Sequence, residues 1–99
     1  PHSATWICNP QSLQIQYHGQ MLQLTRYEYR LLFLLIQHPE QVFSRQQLMD
    51  HIWEHPEHSL ERTVDTHIKS LRQKLKQITP DDPIQTHRGF GYSLVRIST

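Results

Sequence analysis

Apolar and polar residues alternate along the early chain. Leu13, Ile15 and Tyr17 are interleaved with Gln14, Gln16 and His18, which is the period of a half-buried strand. Gly19 turns the chain, and Met21-Leu22-Gln23-Leu24 reads as a return strand. Thr5-Trp6-Ile7-Cys8 reads as an earlier strand, ended by the turn pair Asn9-Pro10. At Thr25 the period changes. Thr25-Arg26-Tyr27-Glu28 is a capping box, with Leu24 and Tyr29 at the positions of a hydrophobic staple. Tyr27, Leu31, Leu34 and Leu35 then share one helical face, and His38-Pro39 stops the helix. Phe43 precedes a second capping box, Ser44-Arg45-Gln46-Gln47, and Leu48, Ile52 and Trp53 form a short apolar face. Pro56 forbids a clean continuation and makes 54–59 a loop. Val64, Ile68, Leu71, Leu75 and Ile78 recur at steps of four and three, an apolar stripe along a third helix. Thr79 to Pro83 is a turn, followed by a hairpin whose tip is Arg88-Gly89-Phe90-Gly91. The pattern predicts an α+β domain: strands within about 5–24, helices at about 26–38, 45–54 and 60–77, and a hairpin at about 84–97.

The third helix has a free face. Opposite its apolar stripe point Arg62, Thr66, Lys69 and Gln73, with Thr63 and Ser70 on one flank and Asp65, Arg72 and Lys76 on the other. Arg and Lys attract phosphate on any sequence, while Thr, Ser and Gln read base edges or touch a thymine methyl. About 17 residues give a helix of roughly 25 Å, enough to lie across a major groove. An ordinary solvated face of an amphipathic helix has the same composition. The hairpin shifts the balance, because directly after a helix-loop-helix it forms the wing of a winged helix-turn-helix. Arg88 at its tip then faces a neighbouring minor groove. Gly89 and Gly91 are explained by a tight tip that needs positive φ.

Charge supports this through its distribution. The net charge is only +1, but 50–61 carries Asp50, Glu54, Glu57 and Glu61 with no Lys or Arg, while 62–76 carries five bases against Asp65 alone. The 99 residues suit one domain, and the start without Met suggests a fragment of a longer chain. The sequence has neither an apolar run of membrane-spanning length nor a leader pattern, which suits a soluble, cytoplasmic protein. Cys8, the lone cysteine, reads as a small buried hydrophobe, compatible with a reducing compartment. No catalytic motif is present, so no enzyme activity and no cofactor are expected. His51, His55 and His58 have helical ligand spacing, but Pro56 interrupts it and no further ligands complete a zinc site, so no metal is expected. RGFGYSLV comes near the RNA-binding strand of an RNA-recognition motif. Yet that fold needs a helix and a strand after the signature, and only Arg96 to Thr99 follow Val95. A winged helix used only for protein contacts is the rival of another class.

SRQQLMDHIW, ERTVDTHIKSLRQKL and IQTHRGFGYSL, in this order and spacing, resemble the C-terminal DNA-binding domain of OmpR/PhoB-class bacterial response regulators. ERTVDTHIK with THRG in the wing is most similar to the CreB branch. The resemblance covers almost the whole chain and implies an antiparallel four-stranded N-terminal sheet, three helices and a C-terminal hairpin wing. It implies that the third helix is the recognition helix, with Thr63, Thr66 and Ser70 facing bases and Arg62, Lys69 and Arg72 holding phosphates. His67 borders this surface. Trp53, Thr86 and Tyr92 would be further backbone contacts, and Arg88 the minor-groove arginine; Gln73 joins them from the helical wheel alone. Ser70 departs from relatives that carry a basic residue there, and serine cannot make the bidentate guanine contact of arginine. The loop with Glu54, Glu57 and His58 resembles the segment that meets RNA polymerase. The implied partners are double-stranded DNA with direct-repeat half-sites, the polymerase, and a histidine kinase acting on a receiver domain absent from these residues. The isolated domain is expected to be monomeric and the full-length protein a dimer on DNA.

Overall fold

The computed structural model describes residues 5–95. Strands β1 (Trp6–Asn9), β2 (Gln14–Tyr17) and β3 (Gln20–Met21) form an antiparallel sheet in that order. Helices α1 (Arg26–Gln37) and α2 (Arg45–Ile52) follow, then a single 3₁₀ turn at Pro56–His58 and helix α3 (Arg62–Lys76). Strands β4 (Ile84–His87) and β5 (Gly91–Leu94) close the fold as a hairpin.

The N-terminal sheet has three strands among the described residues, not four. Residues 10–13 are consumed by the β1–β2 turn, where Leu13 takes φ +53° and stays 58% exposed, so the predicted alternation holds only for Ile15 and Tyr17, both fully buried. The return strand is also shorter than the predicted 21–24. After Met21 the chain leaves the sheet: Leu22 gives its N–H to the Ile15 carbonyl, buries its side chain, and Leu24 leads into α1. The predicted far end of the hairpin, 96–97, lies outside the described residues.

Both capping boxes form. The Thr25 hydroxyl accepts from the Glu28 N–H while Glu28 accepts from the Thr25 N–H, and Ser44 and Gln47 do the same for α2. Of the predicted stripe of helix α1, Leu31 and Leu35 are buried while Tyr27 and Leu34 are only half-buried, and Tyr29 and Leu32 are buried as well, because the helix packs against α2, α3, β2 and β5 rather than one neighbour. In α3 four of the five stripe residues, Val64, Ile68, Leu71 and Leu75, are each at most 1% exposed, while Ile78 lies past the end of the helix and is half-buried. Burial of this kind contributes about 1.5–3 kcal/mol per aliphatic side chain, and it fixes which face of α3 remains outside.

The wing is sewn to the start of α2. Phe43 and Tyr92 exchange both backbone hydrogen bonds, at 2.8 and 2.9 Å, which adds a bridge to the edge of β5. This approach, rather than the hairpin tip alone, explains Gly91. A Cβ there would stand 1.8 Å from the Phe43 carbonyl oxygen, and φ is +147°. Gly89 at φ +83° has open space around it and fits the tip explanation. It occupies the third position of the turn His87–Phe90, closed by a 2.8 Å bond from the Phe90 N–H to the His87 carbonyl.

Candidate nucleic-acid interface

The outward ridge of α3 consists of Arg62, Thr66, Lys69 and Gln73, all exposed. The Thr66 hydroxyl donates back to the Arg62 carbonyl at 3.2 Å, leaving its methyl and its oxygen lone pairs for a partner. The two flanks of the ridge differ in what holds them.

On the α1 side stand Thr63, His67 and Ser70, all half-buried. The His67 ring lies 5.7 Å from Tyr27 and 5.6 Å from Trp53, whose rings are themselves stacked at 4.8 Å and 10°. Burial lowers the His67 pKa, and the charge of Glu28 only partly opposes this. Trp53 ends α2, is 8% exposed, and gives its backbone N–H to Met49. Ser70 turns toward Glu28, a carboxylate only 2% exposed. Burial alone would raise the Glu28 pKa, but the Lys74 ammonium, the Ser70 hydroxyl and the Thr25 N–H together bring it below the ordinary value. One of the five bases in 62–76 is therefore directed inward.

On the wing side, Arg72 reaches across to the hairpin. Its Nη2 donates to the Ile84 carbonyl and the Thr86 hydroxyl, both at 2.7 Å, and its Nε lies 3.3 Å from Asp82. Its guanidinium carbon lies 5.9 Å from the Tyr92 ring centroid. Tyr92, 7% exposed, donates its hydroxyl to Asp65, which also pairs with Arg45 at 3.3 Å. Burial and the Asp65 carboxylate push the Tyr92 pKa up to about 12. The groups of Arg72 and Tyr92 that were expected to meet DNA phosphates thus have partners inside the protein. Thr86 is exposed and accepts from Arg72, and Arg88 is exposed at the wing turn.

Between the start of α2 and the wing lies an open cleft of about 400 Å³, bordered by Ser44, Arg45, Thr86, Arg88 and Phe90. Arg45 was not among the predicted site residues. Its sequence signal is its place as the first residue after the Ser44 cap, at a helix start. It also approaches Glu61 at 3.8 Å. In the predicted polymerase-facing segment, Glu54 pairs with Arg26, and Glu57 sits 3.6 Å from His55 and 3.5 Å from His58. Among the described residues no three His, Cys, Asp or Glu side chains are grouped to hold a metal ion, and no helix is long and apolar enough to cross a membrane.

A cationic, hydrogen-bonding helix face locked beside a β-hairpin defines a winged-helix DNA-binding module. Residues 19–94 match the family described as "Transcriptional regulatory protein, C terminal", and the chain belongs to it, as a response-regulator DNA-binding domain of the OmpR/PhoB type. It is 55% identical over 87 residues to the transcriptional regulatory protein CreB of Escherichia coli (strain K12), covering 87% of this chain and 38% of CreB. It is 41% identical over 86 residues to the heme response regulator HssR of Staphylococcus aureus, again covering 87% of this chain and 38% of the relative. The chain thus spans well under half of these curated relatives. Among solved structures, the DNA-binding domain of the response regulator AdeR, in complex with an intercistronic region, superposes with a TM-score of 0.84 at 31% identity, covering 97% of this chain and 98% of that one. The DNA-binding domain of CpxR from E. coli gives 0.78 at 33% identity, covering 96% and 94%. Both the class resemblance and the likeness to CreB agree with these comparisons.

Proposed function

We propose that this domain binds specific double-stranded DNA with α3 in the major groove and the wing at the adjacent minor groove, as the output end of a cytoplasmic bacterial two-component regulator. The observation that carries this reading is the alignment of an exposed ridge with an exposed wing-tip arginine through internal ties. Arg62 and Lys69 hold phosphates, Thr63, Thr66 and Gln73 meet base edges, and Arg88 enters the minor groove. Arg45, facing the same cleft as Arg88, is added as a phosphate contact, and Thr86 lies between them. Arg72 reaches a phosphate by exchanging Asp82 for it. Tyr92, Trp53, Ser70 and His67 act mainly by holding the surface in place, with His67 and Trp53 close enough to its edge to touch the backbone.

In the longer protein, phosphorylation of a receiver domain by a histidine kinase would pair two such domains on direct-repeat half-sites. Linkage raises the effective concentration of the second domain, so the domain alone should bind weakly and as a monomer. The segment with Glu54, Glu57 and His58 is proposed to face RNA polymerase. Reversing the Glu57 charge should then abolish activation and spare promoter binding; loss of both together would remove the polymerase role.

Selecting bound duplexes from a random pool, then measuring affinity against salt, tests the DNA reading. About five phosphate contacts predict a log–log slope near −4 to −5. No enriched site and no salt dependence would favour a winged helix used for protein contacts.

A further inference from the structure

Phe90 is the most exposed large apolar side chain among the described residues, at 76%. Single exposed apolar residues are common on protein surfaces, but this one is presented by a stiff support. Its N–H closes the turn onto His87, and the next residue, Gly91, is clamped beneath the Phe43 carbonyl. Tyr92 then exchanges two backbone bonds with Phe43. The ring is therefore held out by a fixed tip rather than by a loose loop. Arg88 leaves the same turn two residues earlier, and both side chains border the cleft that Arg45 faces. An aromatic ring has only two side-chain torsions, so it loses little entropy on docking.

We propose that Phe90 packs against the deoxyribose walls of the minor groove beside Arg88, an apolar contact that seats the wing tip. This rests on the DNA reading above. Arginine gives the tip its attraction to the groove, and the ring gives it apolar surface to bury there, a pairing that minor-groove proteins use. A narrow A·T-rich groove brings the sugar walls closer to the ring and also concentrates the potential felt by Arg88.

The two contributions separate by salt. Burying a ring releases no counterions, whereas losing a cation–phosphate contact changes the salt slope. The experiment measures binding of the domain to a selected duplex across a salt series, for Phe90→Ala, Phe90→Leu and Arg88→Ala. Phe90→Ala should weaken binding about five- to tenfold at every salt concentration, with the slope of the unsubstituted domain. Phe90→Leu should recover most of the loss. Arg88→Ala should lower the slope by roughly 1. Thermal melting of Phe90→Ala should be unchanged, because the ring touches little of the protein. Unchanged affinity for Phe90→Ala overturns the proposal, as does a loss that fades with added salt or one that Phe90→Leu shares in full. If the unsubstituted domain shows no salt-dependent duplex binding, the DNA reading fails and this inference fails with it.

Discussion

The Tyr92 hydroxyl donates to the Asp65 carboxylate, so the second wing strand is bonded to the first turn of α3. Arg45 approaches the same carboxylate at 3.3 Å, and one acidic side chain thereby gathers α2, α3 and the wing. Tyr92→Phe removes the hydrogen bond and keeps the ring. A bond to a charged acceptor contributes about 1.5–3 kcal/mol, and since Asp65 is partly solvated the expected loss is about 1–1.5 kcal/mol by urea unfolding. DNA affinity should fall as well, although no cation is removed. The raised Tyr92 pKa adds a pH signature. Above pH 10 the unfolded phenol loses its proton while the folded one keeps it up to about 12, so stability should fall as pH rises through that window. Tyr92→Phe should flatten that fall.

Glu28 and Lys74 form an ion pair across 46 positions of sequence, with the carboxylate 2% and the ammonium 30% exposed. Removing one partner strands a buried charge, which costs about 3–5 kcal/mol in fully enclosed pairs. The partial exposure of Lys74 reduces this, so Lys74→Ala should lose about 2 kcal/mol, and adding Glu28→Gln should restore part of it. The Glu28 pKa is lowered, so its contribution is present above the unfolded carboxylate value and is lost as pH falls through the folded one. Denaturation curves at neutral pH and on the acid side should show that loss in the natural chain and a weaker one in the double variant.

The two wing glycines should respond unequally to alanine. At Gly91 the new methyl would meet the Phe43 carbonyl oxygen at 1.8 Å, and backbone cannot step aside as a flexible side chain can. At Gly89 the methyl enters open space and meets only the left-handed backbone cost, about 1–2 kcal/mol. Gly91→Ala should therefore cost clearly more than Gly89→Ala in thermal melts. It should also detach the wing, seen as faster hydrogen exchange at the Phe43 and Tyr92 amides.

The outward ridge of α3 was legible in the sequence because an apolar stripe of period 3.6 fixes its own opposite face. Arg62, Thr66, Lys69 and Gln73 emerge outside for no other reason than that Val64, Ile68, Leu71 and Leu75 are inside. Both capping boxes were legible too, since their partners lie three residues apart. The flanks were not. Ser70 and Lys74 are turned inward by a carboxylate on α1, Arg72 is taken by the wing, and Gly91 answers to Phe43. Each of these partners is distant in sequence, and no local period carries its position. The third N-terminal strand stops at Met21, short of its predicted end, with Leu22 buried in the core.

The ridge residues should separate by the kind of loss they cause. Lys69 is exposed and meets only phosphate in the proposed complex, so Lys69→Ala should weaken binding to every duplex alike and lower the salt slope by roughly 1. Thr66 has committed its proton to the Arg62 carbonyl. Thr66→Ala should therefore relax preference at one base pair by about 1 kcal/mol and leave the slope unchanged. Competition binding with single-substituted sites at two salt concentrations distinguishes the two patterns.

His67 should make the domain acid-sensitive in a defined direction. Its ring lies against Tyr27 and Trp53, and burial lowers its pKa. Above the unfolded histidine value, near 6.5, the ring is neutral in both states and contributes no pH dependence. As pH falls below that value the unfolded chain takes up a proton that the folded ring resists, so stability declines until the folded pKa is reached. His67→Phe keeps an aromatic ring in the stack and should remove this part of the decline below about pH 6.5. DNA affinity between about pH 7 and 8 should be insensitive to the titration of His67, because the neutral ring adds no charge to the ridge there. Melting curves of the natural chain and the variant across this range, with anisotropy titrations at neutral pH, measure both effects.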